Sequence, residues 1–304
     1  MYMNIYFRLI SYFAGATRML NRLGFPFIEK IARLVYSPDR KSKNFFDFIF
    51  YTDEHVFFRV NTTTFVGWNI FFMGYYENTL IKIIKRIMKP GCIALDIGAH
   101  AGSHTLIMAD KVGELGHIFA FEPNSINTKY IVENLDINNF KNVTIIQQAL
   151  SNFTGNSTLY TPPSDKFLYN CSLEKNWSKE LIVETCVKVT QLDIFIEENH
   201  IEKVDFIKID TEGSDWNVIL GAKKTIERFR PYIAFEFDKK IYNGDTKKVE
   251  ELIIFFKNLN YVLYAFHAFN CSYFKELNIT NDILNVENIL AIPSGSHKNK
   301  KFQI

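Results

Sequence analysis

The sequence predicts an α/β fold: a mostly parallel, Rossmann-like sheet of seven strands with helices on both faces, preceded by an N-terminal helix and hairpin extension. Three observations predict it. From residue 92 onward, short apolar runs alternate with stretches of helical periodicity. Between the first run and the next helix stands a glycine turn, Asp96-Ile97-Gly98-Ala99-His100-Ala101-Gly102, in the context a nucleotide loop needs. Four carboxylates, Asp96, Glu122, Asp210 and Glu236, end such runs, where open parallel sheets place their ligands.

Residues 1 to about 40 read as helical. The aromatic, β-branched runs 45–51 and 56–60 flank Thr52-Asp53-Glu54-His55 and read as a hairpin. Residues 77–88 read as a helix stopped by Pro90-Gly91. Strands are expected at 92–96, 118–121, 143–147, 204–209, 232–237, 261–266 and 289–292, and helices at 103–111, 125–135, 214–228 and 247–260. The segment 150–190 is too long for an ordinary connection and suggests a hairpin or lid over the site, or a surface excursion. The expected division is an N-terminal extension, 1–75, and a catalytic domain, 76–304.

A length of 304 residues with 47% hydrophobic side chains suffices for a sizeable core. The 35 basic and 33 acidic residues nearly balance, which leaves no broad electrostatic footprint for nucleic acid. Cys92, Cys171, Cys186 and Cys271 show neither C-x-x-C pairing nor zinc spacing, so they read as reduced, mostly buried thiols of a cytoplasmic protein. No run of eighteen or more uncharged apolar residues is present. Ile5, Leu9, Tyr12, Ala16 and Leu20 recur at helical spacing. Three readings stand: an amphipathic helix packed on the domain, peripheral contact of residues 1–35 with the inner membrane surface, or a cleaved signal. The run Trp68, Phe71, Phe72, Tyr75 and Tyr76 reads as core packing before an acceptor wall.

Gly98 and Gly102 let the backbone turn tightly and approach a ligand. A dinucleotide site wants G-x-G-x-x-G, but His100 occupies the second glycine position. Asp96 would repel a pyrophosphate and suits a ligand with ammonium and sulfonium charges, such as S-adenosylmethionine. Glu122, 24 residues after Gly98, can accept from ribose hydroxyls. Gln148 and Ala149, after the third strand, are placed near an adenine ring.

At these residues the chain resembles the FkbM family of methyltransferases. The motifs are Lys89-Pro90-Gly91, the glycine turn, Phe121-Glu122-Pro123-Asn124, Ala149-Leu150-Ser151, Gln191-Leu192-Asp193, Lys208-Ile209-Asp210-Thr211-Glu212-Gly213 and Glu236. The resemblance covers about residues 75–240. It implies a class I methyltransferase fold, S-adenosylmethionine as cofactor, and O-methylation of a glycan or other small-molecule hydroxyl. The family usually has Asn where this chain has His100, and often a Glu where it has Asp215.

Methyl transfer to oxygen needs alignment of the reacting atoms and removal of the hydroxyl proton. Asp210 and Glu212 are the candidate catalytic carboxylates. Asp210 also counts among the cofactor contacts, with Asp96, Gly98, His100, Gly102, Glu122, Gln148 and Ala149. Both carboxylates could instead be structural, one capping the following helix. A magnesium or calcium bridge lacks a dense carboxylate cluster, and His100 with His104 lacks a third ligand, so no metal is assigned. The competing classes are a non-catalytic nucleoside-binding module and a nicotinamide dehydrogenase. The expected partner is a small-molecule or glycan acceptor, not nucleic acid.

Overall fold

Helical and strand segments alternate along the whole chain, and a computed structural model describes residues 5–25, 27–36, 46–162, 171–175, 183–237, 246–268, 270–277 and 287–295. They fall into two compact units, Met1–Tyr76 with Asp136–Asn139, and Glu77–Leu135 with Phe140–Ile304.

In the first unit, helix α1 (Ile5–Arg22) buries Ile10, Ala14 and Thr17, one face at helical spacing. Gly24, at φ 74°, ends it: Phe25 N–H reaches Leu20 O at 3.1 Å and Gly24 N–H reaches Asn21 O at 3.0 Å, a Schellman stop. Helix α2 (Ile28–Val35) follows, and the expected helical run beyond residue 36 lies outside the described residues. Strands β1 (Asp47–Tyr51) and β2 (Phe57–Asn61) form the expected antiparallel hairpin. Helix α3 (Phe65–Met73) begins where Thr64 Oγ1 accepts from Gly67 N–H at 3.0 Å. Trp68, Phe71 and Phe72 are at most 2% exposed, so this part of the aromatic run is core. Trp68 stacks on Phe72 at 5.0 Å and donates to Tyr36 O at 2.6 Å.

The second unit runs α4 (Asn78–Ile87), β3 (Ile93–Ile97), α5 (Ser103–Val112), β4 (His117–Phe121), α6 (Ser125–Asn138) and β5 (Val143–Ile146). A small sheet follows from β6 (Ala149–Leu150), β7 (Gly155–Thr161) and β8 (Val183–Thr190). Then come α7 (Leu192–Glu198), β9 (Phe206–Ile209), α8 (Asp215–Leu220), α9 (Lys223–Phe229) and β10 (Tyr232–Glu236). The chain closes with α10 (Thr246–Asn258), β11 (Tyr261–His267), β12 (Asn270–Glu276) and β13 (Asn288–Pro293).

The main sheet has the order β12-β11-β13-β10-β9-β3-β4-β5. From β10 to β5 all neighbours are parallel; β13 runs antiparallel to β10 and β11. The seven expected strands are present, but the sheet has eight: the chain turns back after β11 and adds β12 antiparallel at the edge. β3 is the switch point, with β4 and β5 on one side and β9 and β10 on the other. All four residues of β9 are buried, as in strands covered on both faces.

Two expectations change, and a third is filled in. The helix expected over 214–228 is two helices, because the Asp193 carboxylate takes the N–H groups of Lys224 and Thr225 at 3.0 and 2.8 Å and starts α9 afresh. Within the long 150–190 connection, β7 and β8 pair antiparallel, in line with the hairpin expected there, and β6 joins β8 in parallel; 163–170 and 176–182 lie outside the described residues. The cysteines are not mostly buried: Cys186 is exposed, and Cys92 and Cys171 are intermediate.

Candidate active site

The turn between β3 and α5 is laid across the end of β4. Gly98 and Ala99 both donate to Phe121 O at 3.0 Å. Gly98 has φ 76°, and a Cβ there would stand 1.8 Å from Asp210 O. Only glycine lets the two strand-end loops pass this closely. Gly102 starts α5 at φ 84°, and His100 between the glycines is also left-handed at φ 52°. Asn enters that region more readily than most residues. The His100 backbone therefore takes a shape that an Asn would adopt readily.

Beneath the turn lies a buried charge cluster. Asp96, 0% exposed, accepts from Thr105 Oγ1 at 2.6 Å through Oδ2 and faces Lys208 Nζ at 3.2 Å through Oδ1. Lys208, on the adjacent strand, also donates to Gly98 O at 2.9 Å and stands 3.4 Å from Asp210 Oδ2. Burial works against the Lys208 ammonium, but Asp96 and Asp210 outweigh it and hold its pKa above the ordinary lysine value. A charge facing a ligand is the sequence expectation for Asp96; in the structure Oδ2 is taken by Thr105, while the buried Oδ1 faces the Lys208 cation and has no hydrogen-bond partner.

Glu122 ends β4 and is 4% exposed. It accepts from His100 N–H at 2.9 Å, from Asn124 N–H at 2.8 Å and from the Asn127 side chain. Burial nevertheless pushes its pKa up to about 7, against those hydrogen bonds and the Lys208 charge. A carboxylate offers about four acceptor positions, so roughly one remains for a ligand hydroxyl. The His100 Nε2 atom is buried without a hydrogen-bond partner, and burial takes its pKa down to about 4, so the ring is neutral near pH 7.

On the other side of the switch point, Asp210 is 30% exposed at its side chain. Glu212 follows in a left-handed conformation, φ 52°. Its carbonyl accepts from Ser172 Oγ at 2.8 Å. Asp215 is 2% exposed; it accepts from Thr211 N–H at 3.2 Å, Thr211 Oγ1 at 2.9 Å and Glu236 N–H at 3.2 Å. It thus closes the 211–215 turn and ties it to β10. Burial, then Asp210, raises its pKa to about 6. Glu236 is pushed up to about 10 by burial and by repulsion from Asp210, Asp215, Glu212 and Glu77, which keeps it protonated at neutral pH. His104 pairs with Glu77 at 3.5 Å, and no described group of three or more His, Cys, Asp or Glu is arranged to hold a metal ion.

The structure therefore gathers Asp96, Gly98, His100, Glu122 and Asp210 at the ends of β3, β4 and β9 through direct contacts, and Gly102 closes the turn by donating to Ala99 O at 2.8 Å. Glu212 lies on the turn after β9. Ala149 enters the small sheet opposite Val189, and Gln148 N–H bonds to Ile146 O at 2.8 Å. Sequence reasoning missed Thr105, Asn127 and Ser172, which support the site's carboxylates and turn. Thr105 sits nine residues from Asp96, a spacing that becomes a contact only when α5 folds back along β3.

A sheet of this order, with its antiparallel β13 and a polar constellation at the β3 switch point, defines a class I methyltransferase fold. The methyltransferase FkbM domain matches residues 96–263, over half the chain, and the protein belongs to that family. It is 23% identical over 180 residues to the hexuronic acid methyltransferase AglP of Haloferax volcanii, covering 58% of this chain and 67% of that one. Among solved structures, it is similar to methyltransferase FkbM from Methylobacillus flagellatus KT, with 15% identity and a TM-score of 0.41. That match covers 73% of this chain and 52% of the other, so this chain spans about half of that relative's length. A putative methyltransferase from Streptococcus mutans in complex with SAH matches at 15% identity and a TM-score of 0.40, covering 70% and 94%.

Proposed function

We propose that the protein transfers a methyl group from S-adenosylmethionine to a hydroxyl of a glycan or related small molecule. The observation that carries this reading is the pairing of two unlike carboxylates across the switch point. Glu122 is buried with about one acceptor position left, and Asp210 is open to solvent and backed by the Lys208 cation. The similarity to a hexuronic acid methyltransferase supports a uronic-acid-bearing acceptor.

The residues present fit the cofactor. Glu122 can accept from a ribose hydroxyl, and the orphaned His100 Nε2 offers a buried polar contact beside it. When bound, the cofactor supplies an activated methyl group on sulfur. The glycine turn orients the bound ligand through its backbone. Asp210 accepts the acceptor hydroxyl's proton, with the Lys208 ammonium 3.4 Å from its carboxylate. Ser172 holds the Glu212 turn, so that Glu212 positions the acceptor beside Asp210. Protonated Glu236 limits the negative charge around Asp210.

Calorimetric titration with S-adenosylmethionine comes first, then transfer of labelled methyl to uronic-acid oligosaccharides. Asp210→Asn is expected to lose about 10²–10⁴-fold in turnover at saturating cofactor. Failure of the wild-type protein to bind the cofactor would overturn the proposal. Full turnover by Asp210→Asn would remove Asp210 as the base.

A further inference from the structure

We propose that α1, α2 and the turn between them form a docking face for an anionic lipid surface. The observation is a concentration of exposed apolar side chains in one short stretch. Eleven of the 21 exposed large hydrophobic residues among the described ones lie between Ile5 and Val35. A soluble surface carries such residues singly, and a cluster marks an interaction site.

On α1 the exposed positions include Ile5, Leu9, Tyr12, Ala16 and Met19, spaced by four and three, which puts these five along one side of the helix, with exposed Tyr6 beside them. The opposite side, Ile10, Ala14 and Thr17, is already buried in its own unit. The Schellman stop at Gly24 turns the chain, and Leu23, Phe25 and Phe27 emerge 63%, 55% and 68% exposed. On α2, Ile31, Leu34 and Val35 continue the apolar surface. A partner helix would need only the narrow α1 stripe. An apolar surface that continues over the turn and the next helix suits a lipid interface better.

Charge supplies the complementarity. Residues 1–76 hold nine of the 35 basic and five of the 33 acidic residues, a net +4 in a chain whose remainder is −2. Arg8 and Arg22 fall on one flank of the apolar stripe, and Lys30 and Arg33 stand on α2. Arg22 is ion-paired to Asp53 and Arg33 to Glu29, which leaves Arg8 and Lys30 as the basic groups to test. No described helix is long and apolar enough to cross a membrane, so the contact lies in the interface plane. Basic residues there draw the face toward anionic headgroups while the apolar stripe enters the acyl boundary.

The test is sedimentation of the whole protein with vesicles of phosphatidylcholine, and of phosphatidylcholine with roughly one-third phosphatidylglycerol. Partitioning to the anionic vesicles is expected to exceed that to neutral ones by at least about ten-fold and to weaken with salt. The variant Leu9→Gln, Phe25→Ser, Phe27→Asn changes only exposed side chains and should lose that binding with its circular dichroism unchanged. Arg8→Glu with Lys30→Glu should lose the preference for anionic vesicles. Equal or absent binding to both vesicle types overturns the proposal. So does a dimer in light scattering that the triple variant converts to monomer, since a second copy would then be the occupant. Methyl transfer does not enter either readout, so this inference and the proposed function fail separately.

Discussion

Replacing Lys208 by methionine should destabilise the second unit by about 3–5 kcal/mol. The side chain is 4% exposed and the Asp96 side chain 0%. Met keeps the apolar length of Lys208 but leaves the Asp96 carboxylate without its 3.2 Å cation. Thr105 still donates at 2.6 Å, so the penalty is not that of a bare charge. The substitution also frees the Gly98 carbonyl from its 2.9 Å bond and loosens the glycine turn. Adding Asp96→Asn removes the stranded charge, so the double variant should recover more than about 1 kcal/mol of the loss. Lys208→Arg retains a cation and should fall between the extremes. Chemical denaturation of wild type, Asp96→Asn, Lys208→Met and the double variant measures the cycle, and hydrogen exchange at Leu95 and Ile207 reads the adjacent strands directly. A loss below about 1 kcal/mol for Lys208→Met, or a double variant worse than the single, would refute the argument that this pair is buried and coupled.

Gly98→Ala forces a Cβ to 1.8 Å from Asp210 O at a φ of 76°; cofactor affinity measured by calorimetry should fall at least about 100-fold or the chain should fail to fold, and a functional Gly98→Ala protein would contradict the loop crossing. At position 100, φ 52° tolerates His100→Asn, expected within about 0.5 kcal/mol of wild type, whereas β-branched His100→Val should cost about 1–2 kcal/mol; equal denaturation midpoints for the two would deny the left-handed backbone. Glu122 at about 7, Asp215 at about 6 and Glu236 at about 10 lie above the ordinary carboxylate value of about 4.3. The folded ligand-free protein then holds more protons than the unfolded chain, so stability falls as pH rises from about 4.3 through 7, with Glu236 extending the fall further. Glu122→Gln should flatten the slope between pH 5 and 7, and an unchanged slope in denaturation at graded pH would remove Glu122 from the account.

The alternation of apolar runs and helical stretches was legible without coordinates because burial on both faces leaves its mark in local composition. The glycine turn was legible for the same kind of reason: left-handed backbone and close approach demand glycine wherever they occur. The extra edge strand β12 and the pairing of β6 with β8 were not legible, since edge pairing depends on which partner the chain meets on return. The break between α8 and α9 was hidden as well, because Asp193, which starts α9, lies 31 residues from Lys224.

By itself the sequence determined seven strands of the main sheet and most of the helices between them, the glycine turn and the strand-end carboxylates, all of which follow from local periodicity and backbone sterics. Only the tertiary structure decided what surrounds each carboxylate. Asp96 is turned inward to Lys208 and Thr105, Glu122 is held by three protein donors, and Asp210 is left open. Those differences arise from desolvation and from partners brought in across adjacent strands and helices, and no one-dimensional pattern encodes such distances.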